Sequence, residues 1–99
     1  MPLLRIDFQE GFTGDTAVVR INGSEVYRAA PKTRMQIGLA DTRNFDFPPQ
    51  QLEIEFEMPD TGASETLRLS LDRACYLGVS LDQGKRITFK NSREPFGYL

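Results

Sequence analysis

Carboxylates are the residues of this sequence best placed to carry acid–base chemistry. The chain has no His, so it lacks the commonest general base and the usual partner of a Ser or Cys nucleophile. Glu53, Glu55 and Glu57 alternate with apolar residues, which places them on one solvent-facing strip of a predicted strand. We interpret this strip as a solvated sheet face, and an enzyme acting through carboxylates is only the third functional hypothesis.

The single cysteine, Cys75, shares a predicted strand face with Leu77 and Val79. This position predicts a buried structural thiol and not a reactive one. The sequence also contains no Gly-rich phosphate loop, no pair of cysteines with zinc spacing and no nucleophile elbow. We therefore predict a protein without catalytic residues, which is not an enzyme.

Oxygen ligands for Ca²⁺ could come from loops at one end of the fold. The candidates are Asp15, Asp41, Asn44 and Asp46. Their spacing is not that of an EF-hand, and Asp and Asn are equally common as turn formers. We predict no metal site and no cofactor.

The C-terminal segment 93–99 lacks strand alternation and is predicted to be irregular. Its Phe96, Tyr98 and Leu99 are candidate binding residues, with Arg34 and Arg43 as candidate polar contacts. Two interpretations of the segment stay open. The aromatic side chains fold back and cap an open end of the core, or the segment docks on another chain by adding a strand or filling a pocket.

Sugar binding would need exposed aromatic rings that stack on pyranose faces. The candidates outside the clear core pattern are Phe12, Tyr27, Phe45, Phe47, Tyr76, Phe96 and Tyr98. The chain has no Trp, so the largest stacking surface is missing and this hypothesis ranks second.

Short apolar/polar alternation dominates the chain and indicates β-strands. A first strand carries Leu4, Ile6 and Phe8 on one face. The dipeptide Asn22-Gly23 predicts a type I′ hairpin, because both turn positions need a positive φ. With Ile21 opposite Ser24, this hairpin would pair Val19 with Val26 and Arg20 with Glu25.

The middle of the chain predicts another half-buried strand from the alternation of Met35, Ile37 and Leu39. A short run, Phe45-Asp46-Phe47, then ends at Pro48-Pro49. Since two prolines cannot donate hydrogen bonds to a sheet, we expect the chain to cross between sheets or leave an edge there.

Two more hairpins follow. The first would pair Phe56 with Leu67 and Glu55 with Arg68, across the six-residue connection 59–64. The second runs from Cys75 to Phe89. Matching its faces requires Leu81 opposite Ile87 and a three-residue loop with a left-handed Gly84.

These patterns predict one all-β domain over residues 1–99, an antiparallel β-sandwich of seven to eight strands. A closed barrel with the same number of strands is the alternative. In their general arrangement, the short alternating strands around Asn22-Gly23 resemble those of prealbumin-like and immunoglobulin-like sandwich modules. The resemblance is one of architecture and carries no residue motif.

The charge balance limits the partners. Twelve basic and fourteen acidic residues give a net charge of −2 and a pI near 5.1, so we predict no nucleic-acid binding. No run approaches the roughly 18 apolar residues of a membrane-spanning helix, and charge comes too early for a signal-peptide core. We predict a cytoplasmic interaction or scaffold module that binds a protein partner or forms a homo-oligomer. A carbohydrate- or other ligand-binding module is the alternative.

Overall fold

The computed structural model describes residues 2–82 and 86–98. These residues form eight β-strands in two four-stranded sheets and no helix, so the described chain offers no helical membrane span. The strands are β1 (Leu3–Phe8), β2 (Ala17–Ile21), β3 (Ser24–Ala29), β4 (Asp41–Asp46), β5 (Gln50–Met58), β6 (Ala63–Leu71), β7 (Cys75–Asp82) and β8 (Arg86–Ser92). The first sheet has the order β4-β1-β7-β8, and the second has the order β3-β2-β5-β6.

One hydrophobic core joins the two sheets. Phe8 of the first sheet stacks on Tyr27 of the second, with ring centroids 4.4 Å apart, and lies 5.7 Å from the ring of Phe56. The alternation of β1 explains this arrangement, because Leu4, Ile6 and Phe8 are almost fully buried while the residues between them point away from the core.

The strand directions differ from the prediction in one place. β1 pairs with β4 in the antiparallel sense but with β7 in the parallel sense, with Leu4 beside Cys75. The first sheet is therefore mixed. Alternation does not reveal strand direction, and no short turn joins β1 to β7 to impose one.

The Asn22-Gly23 hairpin forms as predicted, with φ of 52° and 84° at the two turn positions. Ile21 faces Ser24 and Arg20 faces Glu25. The predicted pairing of Val19 with Val26 is wrong. A bulge between Val19 and Arg20 puts Tyr27 opposite Val19, and this brings the Tyr27 ring into the core.

The register of the β5–β6 hairpin is shifted by two residues from the prediction. Ile54, not Phe56, faces Leu67, and Glu53, not Glu55, faces Arg68. The connection between β5 and β6 is shorter than predicted, because Gly62 adopts a φ of 77° and reverses the chain immediately before β6 begins. A shift of two keeps every side chain on its predicted face.

The β7–β8 hairpin has the predicted register, with Leu81 opposite Ile87 and Val79 opposite Phe89. The predicted left-handed Gly84 lies outside the described residues. The chain also crosses from the first sheet to the second between β4 and β5, at Pro48-Pro49, as expected.

The predicted strand through Met35, Ile37 and Leu39 is wrong. Residues 34–39 form a tight turn, in which the N–H groups of Ile37 and Gly38 donate to the carbonyl of Arg34 at 3.1 and 2.8 Å. Gly38 has a φ of 71°, a conformation that favours glycine and stops an extended strand. We call residues 34–39 the Arg34 turn.

Candidate functional site

The described part of the C-terminal segment is irregular and lies on the outer face of the first sheet. Phe96 and Tyr98 are half-buried there, whereas Leu99 lies outside the described residues. Of the candidate polar contacts, Arg34 begins the Arg34 turn and Arg43 lies on β4. The Arg34 turn and the tail share one surface, and Arg43 belongs to a different cluster.

A buried carboxylate holds the tail in place. Asp7 points to the outer face of β1, yet only 1% of its surface is exposed. Its Oδ1 accepts hydrogen bonds from Arg5 Nε at 3.0 Å and Thr42 Oγ1 at 2.6 Å, and its Oδ2 accepts one from the Tyr98 hydroxyl at 2.6 Å. Both carboxylate oxygens are therefore occupied by structural donors.

The Tyr98 hydroxyl takes part in two hydrogen bonds, since it donates to Asp7 and accepts from Gln9 Nε2 at 3.0 Å. Burial, followed by the hydrogen bond to Asp7, raises the pKa of Tyr98 to about 12. The Gln9 side chain fits against β7 because the neighbouring residue there is Gly78, which has no side chain. A Cβ at that position would come within 2.5 Å of the Gln9 amide oxygen. The tail is thus anchored by Asp7 of β1 and by Gln9, the residue that follows β1.

The tail borders a depression of about 310 Å³ on this face. Lys90 lies at its edge with its Nζ 5.7 Å from the centroid of the Phe96 ring, within the range of a cation–π contact. We call this 310 Å³ depression the tail depression. Its lining residues are Gln9, Glu10, Ile37, Gly38, Lys90, Phe96, Gly97 and Tyr98.

A second depression of about 220 Å³ lies on the other side of the Arg34 turn. Phe12, Lys32 and Met35 contribute to its lining, and Glu10 borders both depressions. Met35 is 92% exposed and is the one large hydrophobic residue left open to solvent among the described residues. We call the Arg34 turn and its two flanking depressions the turn surface.

The base of the turn surface is fixed by hydrogen bonds between two loops. The Phe12 N–H donates to Thr33 Oγ1 at 3.0 Å, and the Thr33 N–H donates to the Phe12 carbonyl at 2.8 Å. The Thr33 hydroxyl also donates to the Gln9 carbonyl at 2.7 Å. Phe12 itself is buried against Phe8, with ring centroids 5.8 Å apart. These hydrogen bonds and the packing of Phe12 fix the backbone that leads into the Arg34 turn, which carries Met35.

Arg43 lies where β4 approaches β3 of the other sheet. Its guanidinium donates to Asp41 Oδ1 at 2.8 Å and sits 5.2 Å from the centroid of the Tyr27 ring. The Tyr27 hydroxyl donates to Asp41 Oδ2 at 2.9 Å, and burial together with this carboxylate raises the tyrosine's pKa. Asp41 thus joins Tyr27 of β3 to Arg43 of β4, and this cluster links the two sheets.

The acidic candidates are spread over the structure. Glu53 pairs with Arg68 at 3.1 Å, and Arg20 pairs with Glu55 and Glu57 at 3.2 and 3.5 Å. Asp41, Asn44 and Asp46 lie on β4, whereas Asp15 lies in the loop before β2. Within the described ranges, no group of three or more His, Cys, Asp or Glu residues is arranged to hold a metal ion.

Met35, Glu10 and Lys90 were missed as site residues by sequence reasoning. Met35 was assigned to a half-buried strand because its alternation with Ile37 and Leu39 has the same pattern as a strand of a sheet. Gly38, inside that pattern, was the available signal for a turn. Glu10 and Lys90 reach the tail depression through tertiary packing, which no local pattern reveals.

The turn surface combines an exposed thioether, a half-buried aromatic ring and charged groups of both signs. Such groups can bind an amphipathic partner by apolar contact and hydrogen bonding. Comparison of the chain with protein-family models, curated proteins and solved structures finds no significant match.

Proposed function

We propose that this chain is a small, non-enzymatic β-sandwich module that binds a protein partner through the turn surface. The observation that carries the proposal is the exposure of Met35, 92% open to solvent between two depressions. A methionine side chain is flexible and polarisable, which suits it to contact with varied apolar groups. Together with Phe12 and Phe96, which line the two depressions, Met35 offers a partner apolar contact on both sides of the Arg34 turn.

The strand order supports a prealbumin-like sandwich over an immunoglobulin-like one. In immunoglobulin-like domains the first two strands lie in the same sheet. Here β1 lies in one sheet and β2 in the other. Of the two architectures that the sequence resembles, we therefore propose the prealbumin-like arrangement.

The environment of the acidic groups supports binding and not catalysis. Asp7 accepts hydrogen bonds on both oxygens, and Asp41 is held between Tyr27 and Arg43. A general acid or base needs an oxygen within hydrogen-bond reach of a substrate proton. Carboxylates occupied in this way act as structural anchors.

The partner that fits best is a protein segment with an apolar anchor and charged flanks. The anchor would contact Met35 and enter the depression beside Phe12, while its flanks would meet Lys32 on one side and Glu10 and Lys90 on the other. The partner is either another protein or a second copy of this chain. The acidic overall charge argues against nucleic acid, and a cytoplasmic location is part of the proposal.

The test compares wild type with Met35→Asp and, as a control, Thr88→Asp, which adds the same charge on the exposed face of β8. All three are immobilised, and the proteins retained from a cell extract are quantified. Light scattering over a concentration series reports self-association. We expect wild type and Thr88→Asp to retain the same partner protein, or to form the same dimer. Met35→Asp should reduce that retention or self-association at least tenfold. Equal retention and equal mass for all three proteins would overturn the proposal.

Carbohydrate binding in the tail depression is the second candidate function. Phe96 provides a half-exposed ring there, with Gln9, Glu10 and Lys90 as polar neighbours. Two of the predicted stacking residues are not available, because Phe12 and Tyr27 are buried in the core. A glycan array should give signals that Phe96→Ala removes and Met35→Asp keeps, and an array without signal above background counts against this function.

A further inference from the structure

We propose that the cleft at the start of β7 is a binding site for a small tetrahedral oxyanion of the phosphate type. The cleft has a volume of about 160 Å³ and lies where the β6–β7 connection meets the end of β8. Arg73 and Arg93 both line it, together with Asn91 and Cys75. The proposal is independent of the turn surface, which lies beyond the other end of β1.

The two arginines supply the positive charge. Arg73 approaches Asp72, but its Nε is 3.8 Å from Oδ1 and the two side chains are 62% and 74% exposed. This separation is too long for a hydrogen bond, so the donors of Arg73 are left for another acceptor. Within the described ranges, no carboxylate lies within salt-bridge distance of Arg93. A guanidinium fork matches the oxygen spacing of phosphate.

Asn91 adds an oriented donor. Its Oδ1 accepts a hydrogen bond from the Cys75 thiol at 3.0 Å, which assigns the other end of the side-chain amide, the NH₂ group, to the role of donor. In the part of the chain that the structure describes, this NH₂ group has no acceptor. An anion in the cleft would receive hydrogen bonds from two guanidiniums and one amide.

The net positive charge of the cleft also favours an anion. Arg73 and Arg93 contribute two positive charges, and Asp72 contributes one negative charge at the rim. Asp72 is 74% exposed, so its carboxylate can turn to solvent when an anion arrives. Removing this negative charge should strengthen binding, an effect with the opposite sign to that of removing either arginine.

The probe is inorganic phosphate, titrated at constant ionic strength with chloride as the balancing ion. Two signals report on the cleft: the NMR chemical shift of the Asn91 side-chain NH₂, and the rate at which iodoacetamide alkylates Cys75. Cys75 is the only cysteine, so alkylation reports on this cleft alone. O-phosphoserine, titrated in parallel, distinguishes a free ion from a phosphorylated side chain as the source of the ligand.

We expect both signals to change and saturate together. Arg73→Gln and Arg93→Gln should each weaken binding about tenfold, as expected for a lost charged hydrogen bond. Asp72→Asn should strengthen it, and Arg86→Gln, an exposed arginine outside the cleft, should leave it unchanged. The altered side chains are exposed, so the variants should keep the circular dichroism spectrum of the wild type.

Two results would overturn the proposal. The first is a change that grows linearly with phosphate concentration or appears equally with chloride, which indicates general screening. The second is saturable binding that survives both arginine substitutions, which would place the anion elsewhere. Tighter binding of phosphate than of O-phosphoserine supports a free oxyanion as the ligand, and tighter binding of O-phosphoserine supports a phosphorylated side chain.

Discussion

The hydroxyl of Tyr98 lies 2.6 Å from Oδ2 of Asp7, the one charged side chain that is almost fully buried among the described residues. This hydrogen bond joins the C-terminal segment to the first strand of the chain. Thr42 and Arg5 hold the other oxygen, so the tail completes the set of donors that a buried carboxylate requires.

Tyr98→Phe should destabilise the protein. The substitution removes the donor to Asp7 and keeps the ring, so we expect the free energy of unfolding to fall by about 1–3 kcal/mol. Urea denaturation measures the change. Tyr76→Phe is the control, because the Tyr76 hydroxyl makes no hydrogen bond to the described residues, and it should cost less than Tyr98→Phe. Equal stability of Tyr98→Phe and wild type would contradict the role assigned to this contact.

The stabilising effect of the Tyr98 hydroxyl should disappear at high pH. The folded-state pKa of Tyr98 is about 12, above the ordinary value of about 10 for tyrosine. Between these values the unfolded chain releases the proton and the folded chain keeps it, so stability falls as pH rises. The difference in urea midpoint between wild type and Tyr98→Phe should therefore be full at about pH 8 and smaller at about pH 11. A constant difference would show that ionisation of Tyr98 is not coupled to folding.

Much of the fold was predictable because its information is local. Alternation identified the core faces of β1, β5 and β7, and Asn22-Gly23 identified a turn that needs two positive φ angles. The parallel pairing of β1 with β7 was not predictable, since it joins segments far apart in the chain. The shifted β5–β6 register was missed because a slip of two residues leaves the face pattern unchanged.

The candidate site was less predictable than the fold. Phe96 and Tyr98 stood out as aromatic residues outside the strand pattern, and they do border the tail depression. Met35 was misassigned because a turn that contains alternating apolar residues has the same local pattern as a strand. The anchor of the tail was hidden for a different reason. Nothing in the sequence near Asp7 indicates that its partner is Tyr98, 91 residues away.

Two glycines with positive φ should respond differently to alanine. Gly11 has a φ of 87°, and a Cβ there would overlap the carbonyl oxygen of Leu81. Gly14 has a φ of 99° but open space around it. Gly14→Ala should cost only the backbone strain, about 1–2 kcal/mol, whereas Gly11→Ala should cost clearly more. Thermal denaturation of both variants tests this. A similar loss in both would mean that the loop before β2 moves away from Leu81.

Removing the tail should weaken the fold without abolishing it. None of residues 94–98 belongs to the hydrophobic core cluster, and a chain ending at Arg93 exposes Asp7 to water, which replaces the lost Tyr98 hydrogen bond. We expect the shortened chain to unfold cooperatively with a free energy lower by about 1–3 kcal/mol. Circular dichroism and urea denaturation, beside the full chain and the Tyr98→Phe variant, measure the difference. Since the Tyr98–Asp7 contact is the main anchor, Tyr98→Phe should account for most of the loss. A shortened chain that fails to fold would instead make the tail part of the core.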